Sequence, residues 1–148
     1  VIFLRVAGIY GPARLPLERL RERKPMIAAV DAPWTNRIHV DVLVQICSAA
    51  MERGRDGEIY NVSDGQPGNM ADYFNQVADA AGLPRPPLIS VAEASGQLSA
   101  GLRSYLAESR RIDNRKVLKE LGITLKFPDL KQGLTASLAS PDQQYPGQ

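Results

Sequence analysis

The sequence predicts an α/β protein, and three observations carry that expectation. Short β-branched runs alternate with amphipathic helical segments. The first run, Val1 to Ile9, is apolar enough for the inside of a parallel sheet and closes in the turn-forming Gly8-Ile9-Tyr10-Gly11-Pro12. The elements are short and their loops polar, which suits a small lobe that reaches over a ligand. Open α/β sheets place their ligand crevice outside the carboxyl ends of the strands, so this turn marks the expected edge of a site. A strand this apolar wants neighbours on both sides, and the expectation is therefore a second half whose partner strands lie elsewhere.

Taken in order, Arg14 to Lys24 is charged, with Leu15, Leu17 and Leu20 interleaved, and reads as one or two helical turns bracketed by Pro16 and Pro25. Met26 to Val30 is a second short strand and Asp31-Ala32-Pro33 a turn. Arg37-Ile38-His39-Val40 leads into a helix with an expected buried stripe of Val42, Leu43, Ile46, Cys47, Ala50 and Met51. Asp41 is the expected amino-terminal cap of that helix and Gly54 its stop. Glu58 to Val62 is a strand that runs into the loop Ser63-Asp64-Gly65-Gln66-Pro67-Gly68. Asn69 caps a second helix, with Asp72 in its first turn, Met70, Phe74, Val77, Ala78 and Ala81 inward, and Gly82 at its end. Leu88 to Val91 is a further strand candidate after the rigid Pro84 to Pro87. Ala94 to Glu108, rich in Ser, Ala and Gly, reads as a loosely helical, lid-like excursion. Helices are expected over Ile112 to Leu121 and Leu130 to Leu138, with a frayed tail from Ser140 to Gln148.

Composition narrows the class. With 148 residues, 44% of them hydrophobic, the chain can bury one core. A formal net charge of +2 is too small to imply nucleic acid, and the basic clusters carry no interleaved aromatics for base stacking. The lone Cys47, among Ile46, Ala49 and Ala50, suits a buried thiol in a reducing compartment. No apolar run approaches the ~20 residues of a membrane span. Val1-Ile2-Phe3-Leu4, interrupted by Arg5, lacks the pattern of a signal peptide, which makes the cytoplasm the expected location.

Four segments share an order with a known family. They are Leu4 to Pro12, with its Tyr-Gly-Pro turn, and Asn36-Arg37-Ile38-His39-Val40-Asp41. The third is Gly57-Glu58-Ile59-Tyr60-Asn61-Val62-Ser63-Asp64-Gly65, and the fourth runs from Arg111-Ile112-Asp113-Asn114-Arg115-Lys116 through Phe127-Pro128-Asp129-Leu130 to Gly133-Leu134. Together they resemble the carboxyl-terminal half of the extended short-chain dehydrogenase/reductases, the NAD(P)-dependent epimerase/dehydratase family. The resemblance implies the last strands of a Rossmann-type parallel sheet plus the small α/β substrate-binding lobe, with residues 1–148 as one unit. It implies a whole enzyme that moves a hydride between NAD or NADP and a hydroxyl- or carbonyl-bearing small molecule. The glycine-rich pyrophosphate turn is absent from these residues. So is the family's Tyr-x-x-x-Lys pair: none of the five tyrosines has lysine four positions later, and Tyr10 has Arg14 there. No catalytic residue is therefore expected in this chain.

What the resemblance carries over is binding. It places Ala7, Gly8, Ile9 and Tyr10 along the nicotinamide, and Gly8 would let the backbone approach a planar ring. The plainer reading makes Gly8 and Gly11 turn glycines. Sugar-nucleotide epimerases and dehydratases usually carry asparagine at the Gly8 position, so glycine here weakens the sugar-nucleotide reading. Substrate contacts are expected from Arg14 at the crevice mouth and from Arg37, which either takes an anionic group in a bidentate pair or pairs with Asp41. His39, the only histidine, is either a further substrate contact or a structural imidazole bonded to backbone. Arg111 belongs to a basic cluster with Arg110, Arg115, Lys116 and Lys119 that offers phosphate binding. No residues stand at metal-ligand spacing. Expected partners are a small-molecule substrate, the amino-terminal half of the same protein and, to cover Val1 to Val6, a second copy. A rival reading is a non-catalytic ligand-binding or interaction module, and another a bare fragment that works only with its missing half.

Overall fold

The computed structural model of the chain describes residues 1–94, 96 and 99–139. In chain order its elements are β1 (Phe3–Val6), β2 (Gly8–Tyr10), α1 (Leu17–Arg21), β3 (Met26–Ile27), β4 (Trp34–Thr35), β5 (Arg37–His39), α2 (Val40–Arg53), β6 (Ile59–Val62), β7 (Gly68–Asn69), α3 (Met70–Ala81), β8 (Leu88–Ile89), α4 (Val91–Ala94), α5 (Ala100–Leu106), α6 (Arg115–Leu121) and α7 (Leu130–Ala139). They gather into two compact units. The first takes Val1–Arg14, Asn36–Pro67 and the chain from Ile112 onward; the second takes Leu15–Thr35 and Gly68–Arg111.

In the first unit the opening run is two strands, not the single one its composition predicts. β1 lies parallel to β6, from Phe3 beside Ile59 to Val6 beside Val62, and β2 lies parallel to β5, from Gly8 beside Arg37 to Tyr10 beside His39. The exchange of partners falls at one peptide. Ala7 N–H still reaches Val62 O at 2.9 Å, whereas Gly8 N–H turns to Asn36 O at 3.1 Å. Nor is β1 buried on both faces. Ile2 and Leu4 pack on the core while Phe3 is 57% exposed, because β1 alternates its side chains across a single covered face.

That core comprises Ile38, Val42, Ile46, Ala49, Ala50, Tyr60, Val62, Val117, Leu121 and Ile123. Ile38 and Ile46 are fully buried, and each such side chain contributes about 1.5–3 kcal/mol of transfer free energy. The stripe of α2 thus runs through Val42, Ile46, Ala49 and Ala50, and the expected Met51 is 88% exposed. Met51 lies nine positions beyond Val42, which at about 3.6 residues per turn is the opposite side of the helix. Cys47 is half-buried at the stripe's edge, so its expected full burial is not met. Gly54 ends α2, its N–H on Ala50 O at 2.9 Å. Asp41 is not the cap of α2. His39 occupies that position, its Nδ1 accepting from Asp41 N–H at 3.0 Å, while Asp41 sits in the first turn and pairs with Lys126 at 3.2 Å. Helix α6 starts at Arg115 and not at Ile112, because Ile112 N–H is held by Asn36 Oδ1 at 2.9 Å and Asn114 by Ser63 O.

In the second unit α3 matches its expectation at both ends. Asn69 Oδ1 accepts from Asp72 N–H at 2.8 Å, and Gly82 closes the helix at a φ of 67°, left-handed backbone that glycine adopts without strain. Met70, Ala71, Tyr73, Phe74, Val77 and Ala78 are its buried face, and α1 packs Leu20 and the Arg19 guanidinium beside it, the latter 5.9 Å from the Phe74 ring centroid. The strand expected over Met26 to Val30 shortens to β3, which pairs in parallel with β8 and leaves Val30 90% exposed. The antiparallel pair β4–β7, two residues a strand, is too short for any periodicity to announce. Within the expected Ala94 to Glu108 excursion α5 is helical, and Ser95, Gln97 and Leu98 lie outside the described residues, as does the tail from Ser140.

Tyr10 closes the floor of the first unit. It is 1% exposed, meets His39 edge-on at 5.3 Å between centroids, and lays its hydroxyl against Gly133 of α7. A Cβ at Gly133 would run into that hydroxyl. Gly133→Ala is therefore expected to destabilise the protein by about 1–3 kcal/mol, the usual cost of overpacking, despite the better helix propensity of alanine. Urea unfolding checks it, and a variant as stable as the parent would show that Tyr10 is not wedged there.

Candidate functional site

At Ala7–Gly8 the opening run passes from β6 to β5 as its partner. Open α/β sheets bind ligands beyond the carboxyl ends of their strands, and β1 and β6 both end here. Around it the first unit brings together five of the sequence-derived residues, Ala7, Gly8, Ile9, Arg37 and, beneath them, Tyr10. Gly8 is exposed, and Ala7, Ile9 and Arg37 are half-buried. A Cβ at Gly8 would stand 2.5 Å from Arg37 Nη1 and 3.2 Å from Asn36 O, so the missing side chain is the space the guanidinium fills. The glycine serves a close approach, and the group that approaches is the Arg37 side chain.

Across from Arg37 stands Asp64, which sequence reasoning treated only as loop chemistry. It follows β6 directly, is 6% exposed, and its N–H donates to Arg37 O at 2.8 Å. Its Oδ1 accepts from Gln66 N–H at 2.8 Å. Burial pushes its carboxyl up to about 6, against the Gln66 hydrogen bond and the Arg37 charge, which pull it down; Asp129 adds a small upward push. The neighbouring turn is fixed by Asn114, which donates from Nδ2 to Ser63 O at 2.9 Å and lies where a Cβ on Gly65 would be. An Asp-Gly pair after a strand is an ordinary turn signal, and nothing in one sequence distinguishes a buried aspartate there from an exposed one.

His39 is committed to the fold through both ring nitrogens. Ser137 Oγ donates to Gly133 O at 2.6 Å, so its lone pairs face His39 Nε2 at 3.1 Å. Nε2 then carries the proton and Nδ1 is left to accept from Asp41 N–H, which makes the ring neutral. Burial lowers its pKa; Asp41 opposes that and Lys126 reinforces it. Phe127 packs edge-on at 4.6 Å.

The remaining basic residues divide. Arg14 is exposed at the end of the Gly11 turn, its N–H on Gly11 O at 3.1 Å. Arg111 belongs to the second unit, where its guanidinium lies 5.4 Å from the Trp34 ring centroid and Trp34 is 46% exposed. The expected basic cluster does not act as one. Arg110 pairs with Glu108 at 3.3 Å, Arg115 with Asp113 at 2.5 Å and Lys116 with Glu58 at 2.5 Å. The Arg14 to Lys24 stretch is likewise a solvated face, with Arg21–Glu18 at 3.6 Å and Lys24–Glu22 at 2.5 Å. Among the described residues no group of three or more His, Cys, Asp or Glu could hold a metal ion, and no helix is long and apolar enough to cross a membrane.

No protein-family model and no curated protein matches the sequence. Solved structures do. A conserved protein of unknown function from Silicibacter pomeroyi superposes with a TM-score of 0.83 at 35% identity over 93% of this chain and 47% of its own. A human epimerase family protein, solved with NADPH, gives 0.75 at 18% identity over 92% and 47%. A nucleoside-diphosphate-sugar epimerase from Pseudomonas aeruginosa gives 0.73 at 24% identity over 93% and 46%. The chain thus spans about half the length of the structures it matches. Its fold is the carboxyl-terminal half of the NAD(P)-dependent epimerase/dehydratase fold, that of the extended short-chain dehydrogenase/reductases, as the four segments imply.

The neutral His39 has a measurable signature. Because its folded pKa lies below the unfolded value, its contribution to stability is full above about pH 6.5 and is lost as pH falls through the folded value. Asp64 slopes the other way, since its pKa is raised and its contribution fades as pH rises through about 6. Asparagine at position 39 still accepts at the cap but does not titrate, so His39→Asn isolates the histidine. Urea titrations at pH 7.5 and pH 5 are expected to show the parent losing stability relative to that variant on acidification; parallel curves would mean that His39 is not held neutral.

Proposed function

We propose that this chain is the substrate-binding half of an NAD(P)-dependent oxidoreductase, epimerase or dehydratase of the cytoplasm, acting on a hydroxyl- or carbonyl-bearing small molecule. The observation that carries the reading is the fold match over 92% of the chain, at a TM-score of 0.75, to a human epimerase family protein, joined to a strand exchange that falls on the segment resembling the family's nicotinamide strand. The human neighbour solved with NADPH supports the same cofactor class. The rest of the whole protein would supply the pyrophosphate turn and the Tyr–Lys pair.

Bound there, the nicotinamide would supply hydride transfer. The residues of this chain fit that group: Gly8 is exposed, with the Arg37 guanidinium in the space its side chain would take, and the half-buried Ala7 carries only a methyl, so a planar ring meets little else along this backbone. Ile9 continues the same strand, and Tyr10 anchors it from below through its buried ring. Arg37, at the mouth of the exchange, is our assignment for an anionic substrate group, and the exposed Arg14 for a weaker, screened contact. His39 acts through position, since both its ring nitrogens are engaged and it sets the orientation of Tyr10. In the second unit Arg111 on the Trp34 face is assigned a substrate contact of its own.

The test is cofactor titration of the full gene product, followed by nicotinamide fluorescence. Saturable binding of NADH or NADPH is expected, and Gly8→Val should weaken it at least tenfold, or about 1.4 kcal/mol, by driving the Arg37 guanidinium out of the space it fills and disturbing the strand on which the ring would lie. Absence of binding by the full product would overturn the oxidoreductase reading. An unaltered dissociation constant in the valine variant would remove Gly8 from the cofactor contact.

A further inference from the structure

Asp64 has no part in the assignments above, yet it is a carboxylate kept under cover next to Arg37, its N–H on Arg37 O at 2.8 Å and its carboxyl in the field of the Arg37 charge. Such a group is costly to hold ionised and stabilises the fold most when neutral. An asparagine there could make the same hydrogen bond to Gln66 N–H at no electrostatic penalty. A buried titratable group that costs stability, bonded through its backbone to a half-buried arginine at the carboxyl end of a strand, points to a function.

We propose that Arg37 and Asp64 form one proton-linked anion site at the exchange between β5 and β6, in which Asp64 takes up a proton from solvent when an oxyanion settles on Arg37. The inference rests on the reading of Arg37 as the anion contact. Two charges act on Asp64: Arg37 on β5 is positive and Asp129, just before α7, is negative, while the turn itself offers the neutral Gln66 N–H. Asn114, entering from the start of α6, is neutral and bonded to Ser63 O. Asp129 accepts from Gln132 N–H at 2.9 Å and Gln132 Nε2 at 2.7 Å, which hold its carboxyl below the usual range, so its charge is constant near neutrality. His39, on β5 with Arg37, has both nitrogens turned to Asp41 and Ser137. That leaves Asp64 as the group free to respond. An arriving oxyanion places a second negative charge within reach of a carboxylate that little water can screen, and protonation of the carboxylate is the cheaper outcome. The ligand class is a small molecule with a carboxylate, sulfate or phosphate group, taken more tightly as pH falls towards 6.

Sulfate is the probe, because it does not itself titrate between pH 6 and 8, and the full gene product is the sample. Calorimetry is run from pH 6 to pH 8 in two buffers of different ionisation enthalpy. The parent is expected to bind sulfate roughly five- to tenfold more weakly per pH unit above about 6.5, with uptake of close to one proton on binding at pH 7. Asp64→Asn should flatten the profile at the tight, low-pH affinity, and Arg37→Gln should abolish binding at every pH. Proton uptake is read on the parent protein, so the outcome does not depend on the Asp64 variant folding. Arg37-dependent binding with no proton uptake would overturn the linkage and leave the Arg37 assignment standing. A pH slope that survives in Asp64→Asn would move the linkage to another group. Sulfate binding unchanged in Arg37→Gln would overturn the Arg37 assignment itself, and the linkage with it.

Discussion

One backbone event organises the first unit: consecutive N–H groups, of Ala7 and Gly8, bond to carbonyls on two different strands, Val62 of β6 and Asn36 before β5. Consecutive N–H groups of a strand point to opposite edges, so the run is held by β6 on one side and by the start of β5 on the other. Arg37 lies against Gly8, and Asp64 N–H on Arg37 O joins the end of β6 to the start of β5. Every candidate contact of this unit depends on that pair of bonds, since a single-residue slip of the opening run would turn Gly8 from Arg37 and carry Tyr10 out of the core.

Tyr10 and His39 convert this local geometry into a rigid floor. The tyrosine ring stands edge-on to the imidazole, and α7 reaches both, accommodating the hydroxyl at Gly133 and meeting Nε2 with Ser137. The same imidazole caps α2 with its other nitrogen. One neutral ring thereby joins β2, α2 and α7, and a charge on it would undo the cap, because a protonated Nδ1 has no lone pair to offer. Stability and site geometry are coupled through a residue that touches no ligand. Asp64 is its counterpart after β6, a group that charges at a cost and responds to what binds. The two titrate with opposite effects on stability.

What could be read in advance follows from the range of the forces. Asn69 as a cap, Gly82 and Gly122 as left-handed stops, and the helix from Leu130 are local matters of one or two turns, and they lie where the residues say they should. The face of α2 was legible only to within one position, since a helical stripe fixes its centre more firmly than its edge, and Met51 falls on the far side. The cap of α2 was misplaced because aspartate is the commoner capping residue; a histidine with its other nitrogen held by Ser137, ninety-eight residues away, outdid it. The proximity of Ala7 to Tyr10 and Arg37 involves segments the sequence singled out as motifs, whereas the burial of Asp64 and the contact of Asn114 were not legible there.

The sequence by itself determined the α/β class, the order of the helices, and the Gly-Ile-Tyr-Gly-Pro segment as the end of a strand, because propensity, capping and apolar period act over a few residues. Only the tertiary structure decided that the opening run splits between two partners, that Gly8 makes room for Arg37, and that Asp64 is buried opposite it. Those facts arise from segments thirty to sixty residues apart meeting at one point. Burial, unlike propensity, is a property of the meeting and not of the residue.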